Sequence, residues 1–196
     1  MSKAFIFGNG GHARVIASFL PIRPVFVVQQ KAGDDTMSED DYFAQRPNGD
    51  VYLGIGSNAA RQQCAAKLRT ISARMPPCVA PNAFVARDAI LEDGAVICAG
   101  AIVGAGARIG RDVIVNTLSS VDHDCVVGEL TQITVGVILG GTVSIGANCF
   151  LGMRSAVFPN KTIGSNAQIM AGSLVVSDVP ANVMVGGNPA AFVRNV

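Results

Sequence analysis

The chain has 196 residues, 49% of them hydrophobic, and a formal net charge of +1 at neutral pH. With its Lys and Arg scattered, two Tyr and no Trp, it lacks the basic stripe and the stacking aromatics that nucleic acid binding calls for. The aliphatic residues are spaced rather than massed, and no run reaches the roughly 18 apolar residues of a membrane span.

The opening stretch, MSKAFIFGNGG, offers only four apolar residues between its lysine and its first glycine. That is too short for a signal-peptide core, so the expected location is the cytoplasm. The same stretch predicts a strand over Ala4–Phe7, a glycine turn over 8–11, and then a helical pattern carrying Val15, Ile16 and Phe19. PVFVV (24–28) and DVYLGIG (50–56) predict two further strands, and Ser57 stands where it can cap a helix over NAARQQCAAKLRTI. Strand, helix, strand, strand, helix indicates a small parallel α/β unit over residues 1–75, with RMPPCVAP (74–81) leading into a second domain, 76–196.

Gly8-Asn9-Gly10-Gly11-His12-Ala13 fits the loose G-x-G-x-x-[G/A] pattern. Such a turn aims backbone N–H groups at a phosphate from a helix N-terminus. An NAD site also wants an acidic residue after the second strand, whereas this chain has Gln29 and Gln30 there. NAD is therefore disfavoured, and the diphosphate of another nucleotide fits at least as well. The plain structural alternative is a glycine turn that only lets strand and helix pack closely.

From Val79 to Pro180 the chain falls into unbroken sixes, beginning VAPNAF, VARDAI, LEDGAV. The first residue of all 17 hexads is Val, Ile or Leu; the fifth is Ala, Ser, Thr, Cys or Val in all but one, where Lys161 stands; the second is Gly in seven. The fifth residue of one hexad and the first of the next lie two apart, so in a strand they share a face. Each hexad thus supplies one small and one aliphatic inward side chain and then turns a corner. Glycine at the second position is expected to serve that corner through positive φ. A period of 3.6 cannot fit a strict six, so the pattern predicts a parallel β-solenoid with a narrow aliphatic core. With three hexads to a coil, the prism has just under six coils and is about 27 Å long at the spacing of stacked strands. Cys64, Cys78, Cys98, Cys125 and Cys149 form no Cys-x-x-Cys pair and read as free buried thiols rather than disulfides or a zinc site.

His123 is the third residue of its hexad, VDHDCV, a corner position that points outward. A carboxylate bonded to one ring nitrogen fixes the tautomer and makes the other nitrogen a better base; spacing alone does not choose between Asp122 and Asp124. Cys125 takes the small inward position and reads as packing.

The hexads resemble the [LIV]-G-x-x-[STAV]-x repeat of left-handed β-helix acyltransferases, and handedness follows from that resemblance. The tail VGGNPAAFV (185–193) is similar to the closing Gly-x-Pro-Ala segment of that family, which often borders coenzyme A. GNGGHARV (8–15), GIGSNAAR (54–61), NTLSSVDHDCVVGE (116–129) and GGNPA (186–190) together resemble a narrower group, the bacterial UDP-4-amino-sugar N-acetyltransferases and related sialic acid O-acetyltransferases. These join a small Rossmann-like nucleotide-sugar domain to a left-handed β-helix.

The resemblance implies a homotrimer with active sites between neighbouring prisms, acetyl-CoA as co-substrate, a nucleotide-sugar substrate and no metal. It implies that His123 is the general base, that Asp124 orients it, and that a backbone N–H near Gly140 and Gly141 meets the developing oxyanion. Asn116 would help shape the amine site. Met153 and Ala171 fall where the family lines its coenzyme groove, and plain coil packing accounts for them equally well. Gly10, Gly11, His12 and Gly56 correspond to the family's nucleotide-sugar contacts, with Gln29 and Gln30 in place of its acidic pair. Gln132 stands where the family often has a second histidine near acetyl-CoA; a glutamine donates a hydrogen bond there but relays no proton.

Two further readings stay open at this point: an O-acetyltransferase acting on sialic acid or a related sugar, and a non-catalytic sugar-nucleotide-binding solenoid. A carbonic anhydrase on the same fold is disfavoured, because zinc there wants three histidines and the chain has two, in different domains.

Overall fold

The computed structural model describes residues 3–196. The chain divides into two compact units, the first ending at Cys78 and the second beginning at Val79. No helix among the described residues is long and apolar enough to cross a membrane.

The first unit runs β1 (Ala4–Phe7), α1 (Gly11–Phe19), β2 (Val25–Val28), β3 (Thr36–Ser38), α2 (Glu39–Gln45), β4 (Asp50–Leu53) and α3 (Asn58–Thr70). Its strands form one parallel sheet in the order β3-β2-β1-β4. β1 is central and buried along its whole length, which is why it reads as a continuous apolar run rather than an alternation. Helix α1 buries Ala13 and Ile16, one turn apart on one face, and Val15 is left exposed. Two elements have no counterpart in the sequence reading. They are β3 and α2, three and seven residues long, too short to show a period. α2 begins on Ser38, whose Oγ accepts the Asp41 N–H at 3.1 Å, and three acidic residues occupy its first turn, where the helix dipole favours them. Tyr42 of α2 then packs edge-on against Phe5 and Phe7 of β1.

The second unit is a stack of two-residue strands on three faces. The first face carries Val96–Ile97, Ile114–Val115, Gln132–Ile133, Phe150–Leu151 and Gln168–Ile169. The second carries Phe84–Val85, Ile102–Val103, Ser120–Val121, Ile138–Leu139, Ala156–Val157 and Leu174–Val175, and the third Ile90–Leu91, Arg108–Ile109, Val126–Val127, Ser144–Ile145 and Thr162–Ile163. Stacked strands are parallel and eighteen residues apart, as in Ile114 on Val96, Ile138 on Ser120 and Val126 on Arg108. Three hexads therefore close one coil. The first and fifth positions fill the interior: Val103, Val121 and Leu139 with Ala107, Cys125 and Val143 are all fully buried.

The corners correct one expectation. The second-position glycines do not adopt positive φ; that conformation belongs to the fourth position, at every hexad from Gly94 to Gly172. Leu118, Leu130, Thr142 and Arg154 adopt it too, against a steric penalty of about 1 kcal/mol each. The left-handed turn lets the fourth-position N–H bond the third-position carbonyl one coil earlier: Leu118 to Ala99 at 3.1 Å, Asp124 to Ala105 at 2.8 Å, Thr142 to His123 at 2.8 Å. The second-position glycines answer a different need. A Cβ on Gly128 would lie 2.6 Å from the Ala147 nitrogen, and one on Gly152 would lie 2.4 Å from that of Ala171. The next coil leaves no room for a side chain.

Lys161 breaks the fifth-position rule where the stack itself changes. Val179 bridges Ile163, sixteen residues back, and Asp178 Oδ1 accepts the Thr162 N–H at 2.8 Å. The last coil cuts this corner short, so the lysine needs no small neighbour eighteen residues on. The first face continues with Val183–Gly187, parallel to Gln168–Ile169, and closes with the antiparallel strand Ala190–Asn195.

The two kinds of glycine predict different costs. Gly172 has φ +67° and open space around a Cβ, so Gly172→Ala should lose about 1 kcal/mol of stability. Gly128→Ala forces coils apart and should lose more, about 1–3 kcal/mol. Thermal unfolding of the two variants, expected in that order, measures the difference.

Candidate active site

His123 sits at the corner between Ser120–Val121 of the second face and Val126–Val127 of the third. Its side chain is 58% exposed, and its Nδ1 lies 2.9 Å from Asp124 Oδ2. An ionised carboxylate only accepts, so Nδ1 donates and the Nε2 lone pair is left open. The left-handed backbone of Asp124 (φ 58°) is the one that every fourth position from Gly94 to Gly172 adopts. Glycines on the neighbouring coils make the room. A Cβ on Gly106 would lie 2.7 Å from Asp124 Oδ1, and one on Gly141 would lie 2.4 Å from His123 Nε2. The imidazole thus rests on the Gly141 backbone, one coil above.

The peptide of His123 is held at both ends. Its N–H donates to Asp122 Oδ1 at 2.7 Å, and its carbonyl accepts from the Thr142 N–H at 2.8 Å. Asp122 therefore fixes backbone as well as adding charge, a role spacing alone did not reveal. The hydrogen bond to Asp124, then the charge of Asp122, hold the His123 pKa above its ordinary value. Cys125 is buried, its Sγ donates to the Gly140 carbonyl at 3.2 Å, and burial pushes its pKa up; such a thiol packs rather than reacts. Among the described residues no group of three or more His, Cys, Asp or Glu is placed to hold a metal ion.

The other expected residues of this unit lie elsewhere on the prism. Asn116, Met153 and Ala171 share the corner between the first and second faces. Asn116 Oδ1 accepts the Thr117 N–H at 2.8 Å, and Met153 is exposed, as are Leu118 and Val135 on the same corner. Gln132 stands on the outer side of the first face, in register with Ile114 and Phe150. Within one chain none of the four shares a corner with His123, whereas Gly141 touches it.

In the first unit the expected residues converge. The turn 8–11, Gln29 with Gln30, and the turn 54–57 leave the carboxyl ends of β1, β2 and β4, three adjacent strands of the sheet. Packing accounts for two glycines: Gly8 has φ +99°, and a Cβ on Gly54 would strike Ala13 at 2.6 Å. Gly10, Gly11 and Gly56 have neither positive φ nor any atom within 4 Å of an added Cβ, so the chain's own contacts do not require them. α1 starts on Gly10 with no side-chain cap, leaving first-turn N–H groups for another acceptor.

His12, the second residue of α1, has its Nε2 buried without a hydrogen-bond partner. Burial, then the charge of Arg61, push its pKa down to about 4. Arg61, on α3, was not singled out from sequence. It is 1% exposed and donates to the Ile55 and Gly56 carbonyls at 3.2 and 3.1 Å and to Asn58 Oδ1 at 2.9 Å.

No family model matches the chain, and a search of curated proteins also finds no match. Solved structures do match. The acetyltransferase domain of PglB from Neisseria gonorrhoeae, in complex with acetyl coenzyme A, is 29% identical with a TM-score of 0.93, covering 97% of this chain and 98% of that one. PerB from Caulobacter crescentus, in complex with CoA and GDP-perosamine, is 30% identical with a TM-score of 0.92 and 98% coverage of each chain. A point mutant of GDP-perosamine N-acetyltransferase from the same organism, with CoA and GDP-perosamine, is 29% identical with a TM-score of 0.92, covering all of this chain and 98% of that one.

The chain has two histidines, so imidazole NMR resolves both. His12 should titrate near 4 and His123 above the ordinary histidine value. Asp124→Asn removes the largest contribution and should lower the His123 pKa while leaving that of His12 in place.

Proposed function

The chain belongs to the left-handed β-helix sugar acetyltransferases, and we propose that it moves an acetyl group from acetyl-CoA to the amino group of a nucleotide-linked 4-amino sugar, with His123 as general base. The observation that carries this reading is the His123–Asp124 pair at 2.9 Å, with Nε2 open beside the Gly141 backbone. The amine nitrogen attacks the thioester carbonyl carbon, and the carbonyl electrons move onto oxygen. The amine proton passes to Nε2, and the imidazolium that forms is stabilised by Asp124. The Gly141 N–H is the donor we assign to the oxyanion. Collapse restores the carbonyl, expels the CoA thiolate, and returns the proton from Nε2 to sulfur. A thioester is already activated, so no serine or cysteine nucleophile is called for.

We assign the nucleotide sugar to the first unit, read as Rossmann-like. In its support, three parallel strands end beside an uncapped helix N-terminus, an arrangement suited to a diphosphate, and Gly10, Gly11 and Gly56 are bare without an internal reason. The neutral amides of Gln29 and Gln30 can meet a nucleobase or ribose without charge. We keep UDP as the expected nucleotide, with GDP as the direct comparison because two of the similar structures hold GDP-perosamine. The five cysteines are buried thiols, which suits a reducing compartment and supports the cytoplasm.

We further propose a homotrimer whose sites combine the His123 corner of one copy with the Met153 and Ala171 corner of another. The separation of these corners on a single prism, and the exposed Leu118, Val135 and Met153 beside them, support that assembly.

Release of free thiol from acetyl-CoA with UDP- and GDP-linked 4-amino sugars, and with sialic acid as the contrasting acceptor, tests the reaction. Replacing His123 by Ala should lower kcat by about 10²–10⁴-fold; unchanged turnover would remove His123 from the chemistry. Gly141→Ala displaces the ring and should lower kcat about 10²-fold with the acetyl-CoA KM retained. As the proton acceptor, His123 must be unprotonated, so activity should fall as pH drops through its raised pKa, and Asp124→Asn should shift that limb to lower pH. A test of shared sites is complementation: His123→Ala and Met153→Glu, each inactive alone, should regain activity when co-assembled.

A further inference from the structure

Among the described residues Arg61 is the largest fully buried side chain, and the chemistry at His123 makes no use of it. A guanidinium stays charged when buried, so its surroundings must satisfy it. Its donors take up the Ile55 and Gly56 carbonyls and Asn58 Oδ1, all on the turn that leaves β4 and enters α3. That turn packs against the first one: a Cβ on Gly8 would lie 3.1 Å from the Gly54 carbonyl oxygen. With its carbonyls drawn inward, the turn shows bare Gly56 backbone to open space. Arg61 also acts on His12, at the start of α1, and helps keep that imidazole neutral.

Resting on the assignment of the nucleotide sugar to this unit, we propose that Arg61 is a positioning residue of that site: its buried guanidinium fixes the turn 55–58 so that Gly56 and the α1 N-terminus hold one geometry toward the nucleotide. Arg61 does not itself touch the ligand. Its planar fork serves three acceptors at once, which a lysine ammonium on a flexible stem cannot reproduce.

The test compares Arg61→Lys and Arg61→Met with the wild-type chain, using UDP and GDP as calorimetric probes alongside acetyl-CoA kinetics and the His12 titration. Both variants should bind the better of the two nucleotides about tenfold more weakly or worse, with the acetyl-CoA KM within about twofold of wild type. Arg61→Lys keeps the charge and should leave the His12 pKa low; Arg61→Met removes it and should let that pKa rise. A merely structural role would lower thermal stability without this split. Wild-type nucleotide affinity in a folded Arg61→Lys chain overturns the proposal, whether or not Arg61→Met folds. If the wild-type chain binds neither UDP nor GDP, the assignment of the unit itself fails, and this proposal fails with it.

Discussion

Residues eighteen apart are neighbours through all but the last coil of the second unit, because each strand hydrogen-bonds to the strand one coil on. This stacking carries most of what the unit does. It closes the interior over one aliphatic and one small side chain per hexad, and at second-position glycines such as Gly128 and Gly152 the next coil presses too close for a side chain. It also makes each corner a short column in which one residue's missing side chain is another's space. The His123 corner is one such column, with glycine on the coil below Asp124 and glycine on the coil above His123. The pair is exposed, yet its geometry is set by backbone rather than by long side chains, so little conformational entropy opposes it.

The two histidines show how local surroundings set opposite behaviour in one side-chain type. His123 lies in the open beside two carboxylates, which favour the charged ring. His12 lies buried next to an arginine, and both influences favour the neutral ring. At neutral pH the first is tuned to take up a proton and the second is kept from doing so. A neutral imidazole under a helix N-terminus adds no charge of its own there, leaving anion attraction to the backbone N–H groups.

Much of this was legible in the residues alone. The frame from Val79 to Pro180 dictates the prism, since no other period accommodates it, and the position of His123 within its hexad already turned it outward. Once three hexads make a coil, adding eighteen to 123 points to Gly141 and subtracting eighteen from 124 points to Gly106; that signal was available and went unused. The location of the left-handed residues was not legible. Leu118, Leu130 and Arg154 adopt a conformation that their side chains disfavour, and the coil-to-coil hydrogen bond that compensates is a tertiary effect. β3 and α2 were hidden by their shortness. Arg61 was hidden by its type, because an arginine on a helix reads as solvated until the partners that bury it are known.

The closing hairpin has a consequence for the molecule as an object in solution. A pile of parallel coils has no natural end: its last rung offers the same open row of N–H and C=O groups as any other, an invitation to end-on polymerisation. Here the first face ends instead in a strand of reversed direction, with a break in register between Met184 and Val185 and with Arg194 on its outermost strand. On this face an incoming copy finds neither the polarity nor the spacing that would let it continue the ladder.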